Sequence, residues 1–363
     1  MKPKVLYILH LPPPVHGAAM VGEQIRRSRL ISESFEGRFI NLSASASLED
    51  IGRWSAEKLR TILRLRKTVR RELRAFRPDL VYFTATSSGM GFLKDFPLVQ
   101  MVKRMGYPVV VHFHNKGVSR RKDLFFRALY RRFFRDVTVM LLSERLYPDI
   151  AAYVPSDRVL YCPNGTEDPG PTERKEQEVP HLLFCSNLIE SKGILTLLDA
   201  CKCLKERGES FILDMAGGES AGFSAVRLQQ EIAARRLQEE VIFHGRVGGA
   251  SKEEVYRNAD IFVLPTFYLN ECFPLVVLEA MARSLPVVST HEGAIPAMVA
   301  DGETGLIVPA KDATALADAL QKLLADRAWR KKMGEKGRAP FLSEYTLGRF
   351  EERFIESLNH CLN

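Results

Sequence analysis

The fold is decided by Phe262-Val-Leu-Pro-Thr-Phe-Tyr-Leu-Asn-Glu-Cys-Phe-Pro-Leu-Val-Val-Leu-Glu-Ala-Met-Ala-Arg-Ser-Leu-Pro-Val-Val-Ser289. It reads as an apolar strand, a polar loop, a helix and a second strand. Glu271 and Glu279 flank the start of the helix, with Phe273-Pro274 between them. Proline suits a first helical turn, because its fixed φ fits and its missing N–H is not needed there. The amides of Leu275 and Val276 then point out of a helix N-terminus, a seat for phosphate. A carboxylate beside phosphate would repel it, so each glutamate is better used accepting hydrogen bonds from hydroxyls, as on a ribose or hexose. A nucleotide sugar is both anionic and polyhydroxylated, and fits both halves.

Working outward, the same alternation fills the chain. Before the stretch come strands at His181–Cys185, Phe211–Ala216 and Val241–His244, with helices at Ile194–Arg207, Ala225–Arg235 and Lys252–Asn258. After it come a strand at Gly305–Val308 and helices at Ala313–Ala325, Ala328–Gly337 and Leu347–Leu362. The first half predicts strands at Val5–Leu11, Phe39–Leu42, Asp79–Thr84, Pro108–His114, Val137–Leu142 and Arg158–Tyr161. Its helices are read at Ala19–Leu30, Ser55–Phe76, Phe96–Met105 and Leu124–Arg135. Such βα alternation means parallel sheets covered by helices. The polar, Pro- and Gly-rich run from Asn164 to Pro180 is the linker candidate. The expected architecture is α/β: two doubly wound, Rossmann-like domains, 1–170 and 171–344, with the ligand in the cleft between them at strand C-termini.

A length of 363 residues suits two domains, and 46% apolar with 26% charged residues is ordinary for a soluble protein. No apolar run reaches the roughly 20 residues of a membrane span. The apolar start is short and runs into Pro12-Pro-Pro14, so it is read as a buried strand rather than a signal peptide. Six scattered cysteines make no metal-site spacing and suit a reducing, cytoplasmic setting. Residues 1–170 carry 29 Lys and Arg against 16 Asp and Glu, a surplus of 13, while the remainder is at −5. An anionic partner on the first half is implied.

Other residues could carry chemistry. Lys192, in Ser191-Lys-Gly193, follows a strand and opens a helix, where an ammonium could neutralise phosphate. Gly17 follows the first strand; it either lets a phosphate approach the backbone or serves tight helix-to-strand packing. His112 and His114 share one strand face, with His114 at the C-terminal end, placed to hydrogen-bond or shuttle protons. No carboxylate or thiol completes a metal set beside them, and no Asp-x-Asp ends a strand. The helices Arg53–Arg77 and Arg120–Arg135 are basic; the second interleaves Phe125, Phe126, Tyr130, Phe133 and Phe134 with arginines. That composition fits an anionic membrane surface, or a core face with solvated arginines. No nucleic-acid motif accompanies the charge.

Together these pieces resemble the GT-B retaining glycosyltransferases with an E-x7-E signature, which include many bacterial polysaccharide and lipid-glycan enzymes. Glu271-Cys-Phe-Pro-Leu-Val-Val-Leu-Glu279 matches the signature, and Leu183-Phe-Cys-Ser-Asn-Leu-Ile-Glu-Ser-Lys192-Gly193 is similar to a second family segment. The resemblance implies that Glu279 holds the ribose and Glu271 contacts the donor sugar. It places backbone at Phe273, Pro274, Leu275 and Val276 beside the diphosphate, which Lys192 neutralises. Gly17 would approach the donor, His114 would face the reacting sugar, and a helix at about 345–363 would cross back onto the first domain. Asn187 stands where the family carries arginine, which puts leaving-group charge or donor choice in question.

The resulting expectation is metal-independent, retaining hexosyl transfer from a nucleotide sugar, with a UDP-sugar favoured, to a glycan or lipid-linked acceptor in surface-polysaccharide biosynthesis. No cofactor beyond that substrate is expected. The setting is cytoplasmic, with a possible peripheral position on the inner membrane face. The alternatives are a non-catalytic nucleotide-sugar-binding subunit and a GT-B sugar epimerase.

Overall fold

The computed structural model describes residues 1–13, 15–43, 56–170 and 177–363. They form two compact units, residues 1–164 with 348–363, and residues 165–347. The first unit runs β1 (Lys4–Leu9), α1 (Gly17–Arg27), α2 (Arg29–Ser34), β2 (Glu36–Asn41), α3 (Ala56–Phe76), β3 (Leu80–Ala85), α4 (Gly89–Arg104), β4 (Val109–Phe113), α5 (Leu124–Phe133), β5 (Thr138–Leu141) and β6 (Val159–Tyr161). The second runs β7 (His181–Cys185), α6 (Ile194–Glu206), β8 (Ile212–Ala216), α7 (Ala225–Ala234), β9 (Val241–Gly245), α8 (Ala250–Asn258), β10 (Ile261–Leu264), α9 (Leu275–Ala282), β11 (Val287–Ser289), α10 (Ile295–Met298), β12 (Gly305–Ile307), α11 (Ala313–Ala325) and α12 (Arg327–Pro340). The final helix, α13 (Leu347–Leu362), belongs with the first unit.

Each unit holds a six-stranded parallel sheet, in the orders β2-β1-β3-β4-β5-β6 and β12-β11-β10-β7-β8-β9. Strands buried on both faces need continuous apolar runs, and β3 and β4 are buried at every position. In each sheet the order reverses at one point, between β1 and β3 and between β7 and β10. A doubly wound sheet opens its ligand crevice at that place, beyond the strand C-termini. Within the first unit, Phe354 of α13 packs its ring 6.5 Å from Tyr7 and 5.0 Å from Tyr82.

Several predicted elements differ. The single helix expected at Ala19–Leu30 is two, because Ser28 ends α1 and its Oγ accepts from Ile31 N at 3.1 Å to start α2. β2 begins at Glu36 rather than Phe39. α4 begins at Gly89 rather than Phe96, with Pro97 lying inside it. α12 continues to Pro340 and is followed by a π-helical turn, Phe341–Tyr345. The basic stretch expected from Arg53 lies outside the described residues up to position 55, as do positions 171–176 of the linker candidate. The aromatic helix α5 divides: Phe126, Tyr130 and Phe133 are core, while Leu124 and Phe125 are 79% and 60% exposed.

One polar cluster around the buried Asp214 ties β7, β8 and β9 together. The Asp214 carboxylate accepts from His181 Nδ1 and from His244 Nε2, each at 2.6 Å. The hydrogen bond to Asp214 raises the His181 pKa above its ordinary 6.5 against the opposing effect of burial. Burial alone would lift the Asp214 carboxyl, but the two histidines outweigh it and hold it below its ordinary 3.8. The His181 contribution is therefore complete below pH 6.5 and is lost as pH rises through its folded value. The Asp214 contribution is complete above pH 3.8 and is lost as pH falls through its folded value. Asp214→Ala should cost about 2 kcal/mol in urea unfolding at pH 5.5 and measurably less at pH 8. A cost that grows with pH would show that the cluster is not held by protonated histidine.

Candidate active site

The site builds up around the reversal point of the second sheet. After β7 the chain makes a 3-10 turn, Glu190–Lys192, and passes into α6 through Gly193 at φ 88°. A Cβ on Gly193 would lie 2.1 Å from Pro265 O, so the loop after β7 rests directly on the loop after β10. That approach brings Lys192 Nζ to 2.5 Å from Glu271 Oε2, with Thr266 Oγ1 at 3.3 Å from the same oxygen. Lys192 also lies over the Tyr268 ring at 5.0 Å. Glu271 is 6% exposed, so this is a buried ion pair and not the solvated loop charge that a polar loop would suggest. Gly293, at φ 58°, closes the far side; its Cβ would meet Glu271 O at 2.5 Å.

α9 begins at Leu275, with Pro274 as the residue before it (φ −68°, ψ 118°) rather than within its first turn. The ring sets φ, but ψ is still extended there, so the helix starts one residue late. Val277 N–H turns back to Pro274 O at 3.1 Å. Pro274 has no N–H, so the donors at this end are those of Leu275 and Val276. Phe273 buries its side chain, with its ring 5.6 Å from Tyr345, and only its backbone belongs to the site.

Farther along α9, Glu279 is held from α8. Lys252 Nζ donates to Oε1 at 2.5 Å, and Tyr256 OH donates to Oε2 at 2.9 Å. Lys252 and Tyr256 are four residues apart, hence on one helix face. Neither was singled out in the sequence, although that i, i+4 spacing beside an E-x7-E helix was the available signal. Arg283 joins the same helices, donating to both oxygens of Glu253 at 2.5 and 2.7 Å and to Glu279 O at 2.9 Å.

Asn187 lies in the loop between β7 and Lys192. Its neighbour Leu188 N–H donates to Gly218 O at 2.7 Å, and a Cβ on Gly217 would fall 1.8 Å from Ser186 O. The backbone fit of this loop is tight, and position 187 brings no charge to it.

In the first unit, Gly17 is the first residue of α1, and a Cβ there would meet nothing within 4 Å. Tight packing belongs instead to Gly22, whose Cβ would fall 2.0 Å from His10 O. His16 caps α1 by accepting from Ala19 N at 3.3 Å. His112 is fully buried, bonded through Nδ1 to Tyr82 OH at 2.8 Å, with its ring 4.2 Å from His114. His114 Nδ1 and His112 Nε2 are buried without a hydrogen-bond partner among the described residues. Burial, with His16 nearby, pushes the His114 pKa down to about 3. Burial therefore favours the neutral form of His114, a hydrogen-bonding group. A separate hollow of about 600 Å³ between β2 and α3 contains none of the predicted site residues.

The family described as Glycosyl transferases group 1 matches residues 170–339. The amylovoran biosynthesis glycosyltransferase AmsK of Erwinia amylovora is 30% identical over 287 residues, 75% of this chain and 67% of that protein. The alpha-D-kanosaminyltransferase of Streptomyces kanamyceticus is 25% identical over 321 residues, 82% and 80% of the two chains. Among solved structures, a sucrose-phosphate synthase from Thermosynechococcus elongatus superposes with a TM-score of 0.80 at 19% identity, covering 99% of both chains. Anabaena Alr3699/HepE in complex with UDP and glucose superposes with a TM-score of 0.73 at 15% identity, covering 98% of this chain and 99% of that one. These structures share the GT-B fold with this chain.

The two glycines separate packing from ligand approach. Gly193→Ala should lose about 2–4 kcal/mol of stability, because a left-handed backbone and a carbonyl both oppose the methyl. Gly17→Ala should leave the melting temperature essentially unchanged. Equal losses, read by thermal unfolding, would contradict the close approach assigned to Gly193.

Proposed function

The chain belongs to the glycosyl transferases group 1 family and is a glycosyltransferase, and we propose that it transfers a hexosyl group from a nucleotide sugar, a UDP-sugar first among them, to a glycan or lipid-linked acceptor in surface-polysaccharide biosynthesis. The observation that carries the reading is the α9 arrangement: open amides at Leu275 and Val276, with the lysine-paired carboxylates Glu271 and Glu279 on either side. The diphosphate would sit on the amides with Lys192 beside it, Glu279 would take the ribose hydroxyls, and Glu271 the sugar. As the sugar–phosphate bond breaks, negative charge grows on the leaving diphosphate, where Lys192 and the amides would oppose it without reorganising. Neutral His114 would hydrogen-bond the sugar, and Gly17 would leave room for the donor. Retention of configuration and independence from metal are part of the proposal. The complex of Anabaena Alr3699/HepE with UDP and glucose supports the donor class, and the likeness to an amylovoran biosynthesis glycosyltransferase, AmsK, supports the acceptor class.

A peripheral position on the inner membrane face rests on α5. Leu124 and Phe125 stand exposed at its N-terminal end, among exposed Arg121, Lys122 and Arg127. With Asp123 capping the helix beside them, the surround is still net positive, and exposed apolar side chains there suit the interface of an anionic leaflet. No helix among the described residues is long and apolar enough to cross a membrane. Asn187 keeps a second reading open, a non-catalytic binding subunit. Release of free nucleoside diphosphate with a matching acceptor, and not without one, separates transfer from binding alone and from epimerisation.

Glu271→Gln and Glu279→Gln should each lower transfer by about a hundredfold; the melting temperature should stay near that of the parent for Glu279→Gln and fall for Glu271→Gln, which leaves the Lys192 ammonium without its carboxylate. Full activity in both variants sinks the assignment, and loss of parent activity in EDTA with rescue by Mg²⁺ sinks its metal-free form. Leu124→Ser with Phe125→Ser should abolish sedimentation with phosphatidylglycerol vesicles at low salt. Unchanged sedimentation would move the membrane contact elsewhere.

A further inference from the structure

Glu279 is pinned at both oxygens before any ligand arrives. Lys252, 30% exposed, holds Oε1 from the solvent side, and Tyr256, 1% exposed, holds Oε2 from within. The pins are not needed to join α8 to α9, since Arg283 already does so through Glu253 and the Glu279 carbonyl, with its guanidinium 4.7 Å from the Tyr256 ring. A partly exposed lysine–glutamate pair also adds little to stability. The arrangement therefore calls for a role other than holding the fold.

We propose that Lys252 and Tyr256 are positioning residues that fix Glu279 as a two-point acceptor for a vicinal diol, the 2′- and 3′-hydroxyls of the donor ribose. This rests on the donor reading above. An ionised carboxylate offers about four lone-pair directions, two on each oxygen. Lys252 occupies one on Oε1 and Tyr256 one on Oε2, which leaves one on each oxygen. Two adjacent hydroxyls can then donate together, one to each. Without the pins, the side-chain torsions of Glu279 are free, and the entropy of fixing them is charged to ligand binding instead. The lysine also keeps the carboxylate from repelling the diphosphate that the same ligand carries.

The test compares UDP with 2′,3′-dideoxy-UDP, measured by calorimetry on the full chain. The parent protein should prefer UDP by at least about tenfold, the value of hydroxyl hydrogen bonds to a charged acceptor. Lys252→Met should shrink that preference to about threefold or less, mainly by weakening UDP, while dideoxy-UDP binds nearly as before. Lys252→Arg should restore it. Tyr256→Phe, which removes one hydroxyl, should shrink the preference as well, and it serves as the readout where Lys252→Met does not fold. An unchanged preference in the variants overturns the positioning role alone. Equal weakening of both nucleotides also overturns it, placing Lys252 on the phosphates or base. A parent protein that binds neither nucleotide removes the donor assignment, and the proposal with it.

Discussion

The buried pair of Lys192 and Glu271 is the constraint from which the rest of the second unit follows. The two side chains belong to loops after β7 and β10, the strands between which the sheet order reverses. Bringing those loops together needs a residue without Cβ at position 193, because Pro265 O occupies that space. It needs another at 293, where the carbonyls of Glu271 and Cys272 lie. Burying two opposite charges is favourable only when their geometry is good and their remaining valences are met. Thr266 and Tyr268 surround this pair accordingly. A crevice that any doubly wound sheet opens has here been given a fixed, charged floor.

The same economy governs Glu279. Two carboxylates near open helix amides would repel a phosphate, yet each carries its own lysine within 2.5 Å. The site can thus present acceptors for hydroxyls and donors for phosphate without net repulsion of an anionic ligand. The first unit handles its histidines differently. His10, His112 and His114 are all driven toward the neutral form by burial, with the nearby Lys94, His16 and His114 adding to it. That cluster therefore offers hydrogen bonds rather than charge, while the positive surplus of the unit lies on exposed helix faces such as α5.

Much of this was legible in the sequence. The fold was readable because parallel strands buried on both faces must be apolar runs, and the helices between them carry their own periodicity. Glu271, Glu279 and Lys192 were readable because their neighbours were out of character for them: a carboxylate within Leu275–Ala282, an ammonium at a strand-to-helix turn. What stayed hidden depends on distance in space. Lys252 and Tyr256 look like ordinary members of an exposed helix until α8 is laid against α9. Gly17 and Gly22 are indistinguishable as letters, and only the position of His10 O tells which one is sterically required. The start of α4 at Gly89 is not marked in the sequence, since Pro97 inside it is compatible both with a first turn and with a helix that absorbs it.

The charge expected at position 187 can be reconsidered in these terms. Glycosyl transfer separates charge, with positive character growing on the sugar and negative charge on the departing diphosphate. An isolated cation helps only the second of these. The Lys192–Glu271 pair is a dipole with both ends fixed. With the ammonium toward the phosphate and the carboxylate toward the sugar, it opposes neither charge and favours both. Its orientation is set by the loop contact at Gly193, so the preorganisation is present in the folded chain before any substrate binds. An arginine at 187 would add to the phosphate end of that dipole. In the proposed reading, Asn187 leaves the phosphate end to Lys192 and the Leu275 and Val276 amides, and the rate would then depend on that one contact between loops.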